Sequence, residues 1–119
     1  VALGPKIAGL MGNNEDWIGQ IESAAAATGE RVWHLPLPDD YKKQFESAVA
    51  DMKNIGTAHG GALTAGLILQ EFVADGIPWA HVDIAGPAWS DVDDGETTKG
   101  GTGFGVRLLA DLVTNFSKP

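Results

Sequence analysis

Cysteine is missing from this 119-residue chain, which rules out a disulfide framework and a thiolate metal site and is compatible with a reducing compartment. Basic residues are scarce: eight lysines and arginines stand against sixteen aspartates and glutamates, for a formal net charge of −8 and a pI near 4.6. A phosphate-binding surface needs clustered lysine and arginine, so nucleic acid is not expected as a partner of this segment. No apolar run reaches the length that spans a bilayer and no signal-peptide pattern opens the chain, so no membrane is expected and the cytoplasm is the default location. A GxSxG nucleophile elbow is also lacking, and no serine or threonine is visibly paired with histidine and aspartate. Nucleophilic catalysis by this chain therefore has no support. Neither an internal repeat nor a low-complexity tract is present.

What the chain does contain is an alternation of strand and helix patterns. Residues 7–11 read as a short apolar strand, followed by the punctuation Gly12, Asn13 and Asn14 and by Glu15 and Asp16, whose charge suits a helix N-terminus. That helix is predicted to run to about Ala27, burying Trp17, Ile18, Ile21 and Ala25, with Gly29 as its C-cap. Two prolines in the connector 33–40 favour extended backbone, and its aspartates offer an N-cap to a second, partly exposed helix over 41–49. Residues 62–73 carry almost no polar stripe and predict a third helix covered on most sides, approached through Gly60 and Gly61. Residues 79–84 alternate as a buried strand with two faces, ending in the small residues Ala85, Gly86, Pro87 and Ala88. An acidic loop over 90–101 leads to a last amphipathic helix carrying Phe104, Leu108, Leu109, Leu112 and Phe116, with Thr102 expected to cap its turn. The predicted fold class is α/β, layered, with a largely parallel or mixed sheet flanked by helices.

Side chains capable of chemistry are few. His34, His59 and His81 share no i, i+4 spacing that would present a metal from one helix. His81 and Asp83 point the same way from one strand, but two ligands are too few for a closed zinc site, and the pair is expected to hold neighbouring elements in place. The run DVDDGET fails the EF-hand pattern, because its fifth position is Gly95 and its sixth Glu96, and it reads as a solvated loop. GGTGFG, residues 100–105, only weakly resembles a phosphate-cradling turn, since its glycines alternate and no strand immediately precedes them. The hollow left by Ala85, Gly86 and Ala88 admits two explanations. Small side chains at a strand's carboxyl end suit a ligand pocket, and they also occur where two elements simply pack closely.

Four segments together are more telling: VALG with the following IAGLMGN, DMKNIGTAHGGALTAG at 51–66, PWAHVDIAGPAW at 78–89 and TGFGVRLLADLV at 102–113. In this order and spacing the chain resembles, over essentially its whole length, the C-terminal part of the catalytic domain of the leucyl (cytosol) aminopeptidase family. The resemblance implies a hexameric two-metal exopeptidase that takes N-terminal residues from peptides. The two divalent ions, zinc or manganese, would share a hydroxide and polarise the peptide carbonyl while cationic groups stabilise the oxyanion. The family's metal ligands and catalytic lysine and arginine lie upstream of VALG, and its NTDAEGR signature is absent here. No residue of this chain inherits a catalytic or metal-binding role. VALG reads as the tail of a strand whose beginning is missing, so residues 1–119 are expected to be one C-terminal piece of a larger domain.

By the same resemblance, Ala85 and Ala88 are wall of the pocket that receives the N-terminal side chain of the peptide, and Gly86 between them gives backbone clearance. Several relatives carry a bulkier residue where Ala88 stands, so a wider pocket and a broad apolar preference are implied. An apolar pocket separates side chains differing by one methylene by only about 1–3 kcal/mol. The chain alone is expected to be inactive, and its exposed apolar edges to favour association with other copies. The alternative is a non-catalytic binding or assembly module derived from the same fold.

Overall fold

A computed structural model describes residues 2–119. The first strand, β1 (Ala8–Gly12), is the centre of the molecule: Ala8, Gly9, Leu10 and Met11 are all buried. It has neighbours on both edges, β2 (Val32–His34) running parallel and β3 (Ala80–Asp83) antiparallel, in the order β2-β1-β3. The sheet is thus mixed, as the α/β reading allows. The strand over 79–84, expected to be buried, is an edge strand whose four residues are each half-buried. Its alternation reported two faces correctly, but its position in the sheet was set by pairing partners that periodicity does not encode.

Helix α1 (Glu15–Thr28) connects β1 to β2. Asn14 supplies its N-cap, its side-chain oxygen accepting the Trp17 N–H at 2.9 Å, and Glu15 and Asp16 face the positive end of the helix dipole. Gly29 closes it at φ 74°, where any Cβ would be strained, and donates to the Ala25 carbonyl. Asn13 ties the end of β1 to the start of β3, with Nδ2 donating to the Ile77 carbonyl (2.9 Å) and Oδ1 accepting the Trp79 N–H (2.7 Å). The last helix, α3 (Val106–Thr114), lies beside α1. Leu10, Ile18, Ile21, Ala24, Ala25, Leu108 and Leu112 form one core on this face of the sheet, with Ala80 and Val82 packed against it.

The opposite face is covered by α2 (Gly61–Gln70), which approaches β1 closely enough that a Cβ on Gly66 would meet Met11 Sδ at 2.9 Å. Only Thr64, Gly66 and Leu67 of α2 are buried; Leu69 and Phe72 are open to solvent, so the expectation of a helix covered on most sides is corrected. The helix also stops at Gln70, its last turn tightening into i→i−3 bonds through Val73.

Three further expectations fail. Residues 41–49 do not form an α-helix: a 3-10 helix spans Asp39–Phe45, and Glu46 leaves it with extended backbone. The Ser47 hydroxyl accepts the N–H groups of Val49 and Ala50, offering the backbone an alternative to helix, and Phe45 is this helix's only buried anchor. Neither aspartate is the N-cap of that helix, a position taken by Pro38 without a side-chain bond, while Asp39 pairs with Lys42. At the chain start Ala2 and Leu3 lie in a turn, not in a strand, and Val1 falls outside the described residues.

Candidate functional site

The small residues after β3 form a tight one-turn loop. Asp83 Oδ1 accepts the Ala85 N–H at 3.0 Å, and the Ala88 N–H bonds the Ile84 carbonyl at 2.9 Å. The Asp83 side chain thus braces its own turn two residues on, through Oδ1, and makes no hydrogen bond to another element among the described residues. His81 stacks with Trp79, ring centroids 6.5 Å apart. Ala85 is exposed, Gly86 and Ala88 are half-buried and Pro87 is buried. A Cβ on Gly86 would lie 2.2 Å from the Gly4 carbonyl oxygen, so glycine here admits the backbone at Gly4 and Pro5 behind the loop. The loop thus has a back, filled by the chain's own N-terminal segment, and an open front carrying Ala85.

Its far end is fastened by the segment before α3. Strands β4 (Trp89–Ser90) and β5 (Gly100–Gly101) pair antiparallel, the Thr102 N–H donates to the Ala88 carbonyl at 3.0 Å, and Thr102 Oγ1 donates to the Pro87 carbonyl at 2.5 Å. Thr102 caps the turn before α3 as expected, its Oγ1 accepting the Phe104 N–H at 3.1 Å, but it is not the N-cap of the helix itself. That position belongs to Gly105, in the left-handed region at φ 99°, and the α3 N-terminus is satisfied by Glu30, whose Oε2 accepts from Gly105 N (3.1 Å) and Leu108 N (2.8 Å). Glu30 is buried and its other oxygen faces Arg107 Nε at 3.6 Å. Sequence reading missed it, because its partners lie more than seventy residues away.

A cavity of about 570 Å³ opens beside the loop, lined among others by Lys6, Arg31, Pro87, Trp89, Phe104 and Arg107. Ala85, Gly86 and Ala88 do not line it. The acidic loop at its rim is internally committed: Asp94 and Thr97 exchange backbone bonds across a tight turn, Asp94 pairs with Lys6, Glu96 pairs with Arg107, and Asp93 accepts the Lys99 N–H. The Lys6 ammonium hydrogen-bonded to Asp94 holds that carboxyl below its ordinary value. Among the described residues no group of three or more histidines, aspartates and glutamates stands close enough to hold a metal ion. With Asp83 engaged by Ala85 and His81 stacked on Trp79, the donors near the loop do not fit a two-metal centre.

Residues 1–110 match the catalytic domain of the cytosol aminopeptidase family. The chain belongs to that family. Probable cytosol aminopeptidases of Synechococcus sp. (strain WH7803) and Aquifex aeolicus (strain VF5) are each 50% identical to it, over 97% and 98% of its length. Solved structures agree. A mutant of tomato leucine aminopeptidase superposes with a TM-score of 0.87 at 42% identity over 94% of the chain. The bottromycin maturation enzyme BotP in complex with Mn does so with 0.93 at 39% over 98%. This aminopeptidase-family chain spans only about a quarter of those proteins: 23% and 24% of the two curated relatives, 21% and 26% of the two structures. The part it matches is C-terminal. No helix among the described residues is long and apolar enough to cross a membrane.

Proposed function

We propose that this chain is the C-terminal segment of the catalytic domain of a cytoplasmic two-metal aminopeptidase that releases N-terminal, preferentially apolar, residues from peptides. In this reading Ala85 and Ala88 are wall of the side-chain pocket, and Gly86 lets the loop sit against the backbone of Gly4. The observation that carries the proposal is the accessible surface. At 7858 Å² it exceeds by nearly 30% the ~6,100 Å² expected of a self-contained domain of 12.4 kDa. A chain that leaves this much surface uncovered is suited to be one slab of a larger body, and relatives four times its length supply a precedent for that body.

The segment's own part is mechanical. It completes a sheet, presents a short apolar wall and contributes packing surface, in a homohexamer by family precedent. The two divalent ions, zinc or manganese, and the groups that bind them belong to the rest of the polypeptide, since the donors present here do not fit them. A wall of alanines leaves room and removes only weakly discriminating contacts, which favours a broad apolar preference over strict leucine specificity.

The test is an assay of leucine p-nitroanilide hydrolysis with manganese supplied. The isolated chain is expected to release no p-nitroaniline, and co-expression with the upstream, metal-bearing part of the polypeptide to restore release. Turnover by the purified chain, free of contaminating peptidase, would overturn the proposal.

A further inference from the structure

The loop 85–88 touches the rest of the chain at few points, and one side chain joins two of them. Thr102 Oγ1 donates to the Pro87 carbonyl at 2.5 Å and accepts the Phe104 N–H at 3.1 Å, while its own N–H donates to the Ala88 carbonyl at 3.0 Å. Phe104 immediately precedes Gly105, whose N–H is held, with that of Leu108, by the buried carboxylate of Glu30. Two hydrogen bonds through one hydroxyl thus join the loop to Phe104, which the backbone links directly to the fixed end of α3. On the other side Gly4 and Pro5 stand behind Gly86 and block retreat in that direction.

We propose that Thr102 is a positioning residue for substrate side-chain selection, setting the depth of the wall formed by Ala85 and Ala88 by clamping Pro87 and Ala88 to the N-terminus of α3; this rests on the aminopeptidase reading above. The hydroxyl is needed twice, as donor and as acceptor. Serine can do both and valine, of the same shape, neither. Without the clamp the Pro87 carbonyl and the Phe104 N–H lose their partners, and the loop is left with the Asp83 and Ile84 bonds at its start and the backbone bond from Thr102 at its end. A wall free to move alters how deep a side chain is received, and so changes the ratio of rates between large and small N-terminal residues more than the rate on any one of them.

The experiment uses the full-length aminopeptidase that carries this segment, as parent, Thr102→Val and Thr102→Ser, with leucine, methionine and alanine p-nitroanilides. Thr102→Val is expected to change the leucine-to-alanine ratio of kcat/KM about tenfold, within the range open to an apolar pocket. Most of the change should lie in KM, and Thr102→Ser should return the ratio to within about twofold of the parent, since it keeps both bonds. A uniform loss on all three substrates, or a ratio unmoved in Thr102→Val, overturns the clamp while leaving the aminopeptidase reading intact. A parent that releases no N-terminal residue overturns both. Should Thr102→Val fail to fold, hydrogen exchange on the parent decides. A non-hydrolysable leucine dipeptide analogue is expected to slow exchange of the Thr102 and Phe104 amides at least about tenfold while leaving Gly29 unchanged, and equal rates with and without it overturn the proposal.

Discussion

Glu30 shows how much one side chain can settle in a segment of this size. It is the single buried charged residue among the described ones, and it lies at the positive end of a helix, where a carboxylate is favoured by the dipole and by two otherwise unpaired N–H groups. Arg107 adds little, being more than half exposed. Glu30→Ala is expected to lower stability by about 2–4 kcal/mol, because two donors, the buried Leu108 N–H and the part-buried Gly105 N–H, lose their acceptor. Glu30→Gln, which keeps an oxygen in place, should cost only about 1 kcal/mol. Urea unfolding followed by tryptophan fluorescence would check the order, and equal losses in the two variants would mean that charge, not hydrogen bonding, dominates. Gly86→Ala is a different kind of lesion. Its methyl would meet a backbone oxygen at 2.2 Å, and neither the loop nor the segment at Gly4 has a flexible end to yield. A loss of about 3 kcal/mol, the upper end of overpacking, is expected by the same measurement.

At the scale of elements, what the sequence disclosed and what it hid follow from how far each controlling contact reaches. The ends of α1 were legible because their determinants are local: Asn14 bonds three residues on, and Gly29 takes a conformation that other residues avoid. The edge position of β3 and the Glu30 cap were not, since each depends on partners distant in sequence, and nor was the open side of α2, since an apolar run does not say which of its faces another element meets. The small-residue loop was legible as the end of the strand; that Gly4 and Pro5 stand behind it was not. The 3-10 helix gives an element-level prediction. Lys42 bridges Asp39 at 3.3 Å and Glu71 at 3.2 Å, tying this helix to the end of α2, and the hydrogen bond to Glu71 is the main cause that raises its pKa above the ordinary lysine value. A raised folded-state pKa contributes stability that is present below the unfolded value and is lost as pH rises through the folded one. Lys42→Met should therefore cost a few tenths of a kcal/mol at pH 7, the screened worth of a partly exposed ion pair. The difference from the parent should vanish as pH rises beyond about 10.5. A gap that persists at high pH would assign the effect to packing of the lysine stem.

For the whole molecule the dimensions carry the argument. The chain is a slab of 49 × 36 × 18 Å with a radius of gyration of 15.6 Å, against about 13.5 Å for a compact domain of this length. Its extra surface includes an apolar stripe at helical spacing along α3 and just beyond it: Val106, Leu109, Val113 and Phe116 are 54–75% exposed, on the side away from Leu108 and Leu112. Phe116 meets Trp17 edge to face, ring centroids 5.8 Å apart. If the chain is one slab of a larger catalytic domain, this stripe is interior in the complete protein and bare in the isolated segment, so the same substitution must act oppositely in the two settings. In the isolated chain Leu109→Gln with Val113→Lys should reduce self-association, moving the sedimentation mass toward 12.4 kDa, at a stability cost within about 0.5 kcal/mol. In the full-length enzyme the same pair should destabilise by several kcal/mol, about 1.5–3 for each apolar side chain taken out of a buried position, before any penalty for burying the new polar groups. Equal tolerance in both proteins would place the stripe on the outside of the finished enzyme and leave the excess surface to be explained by other uncovered apolar side chains, among them Leu69 of α2 and Phe72 just beyond it.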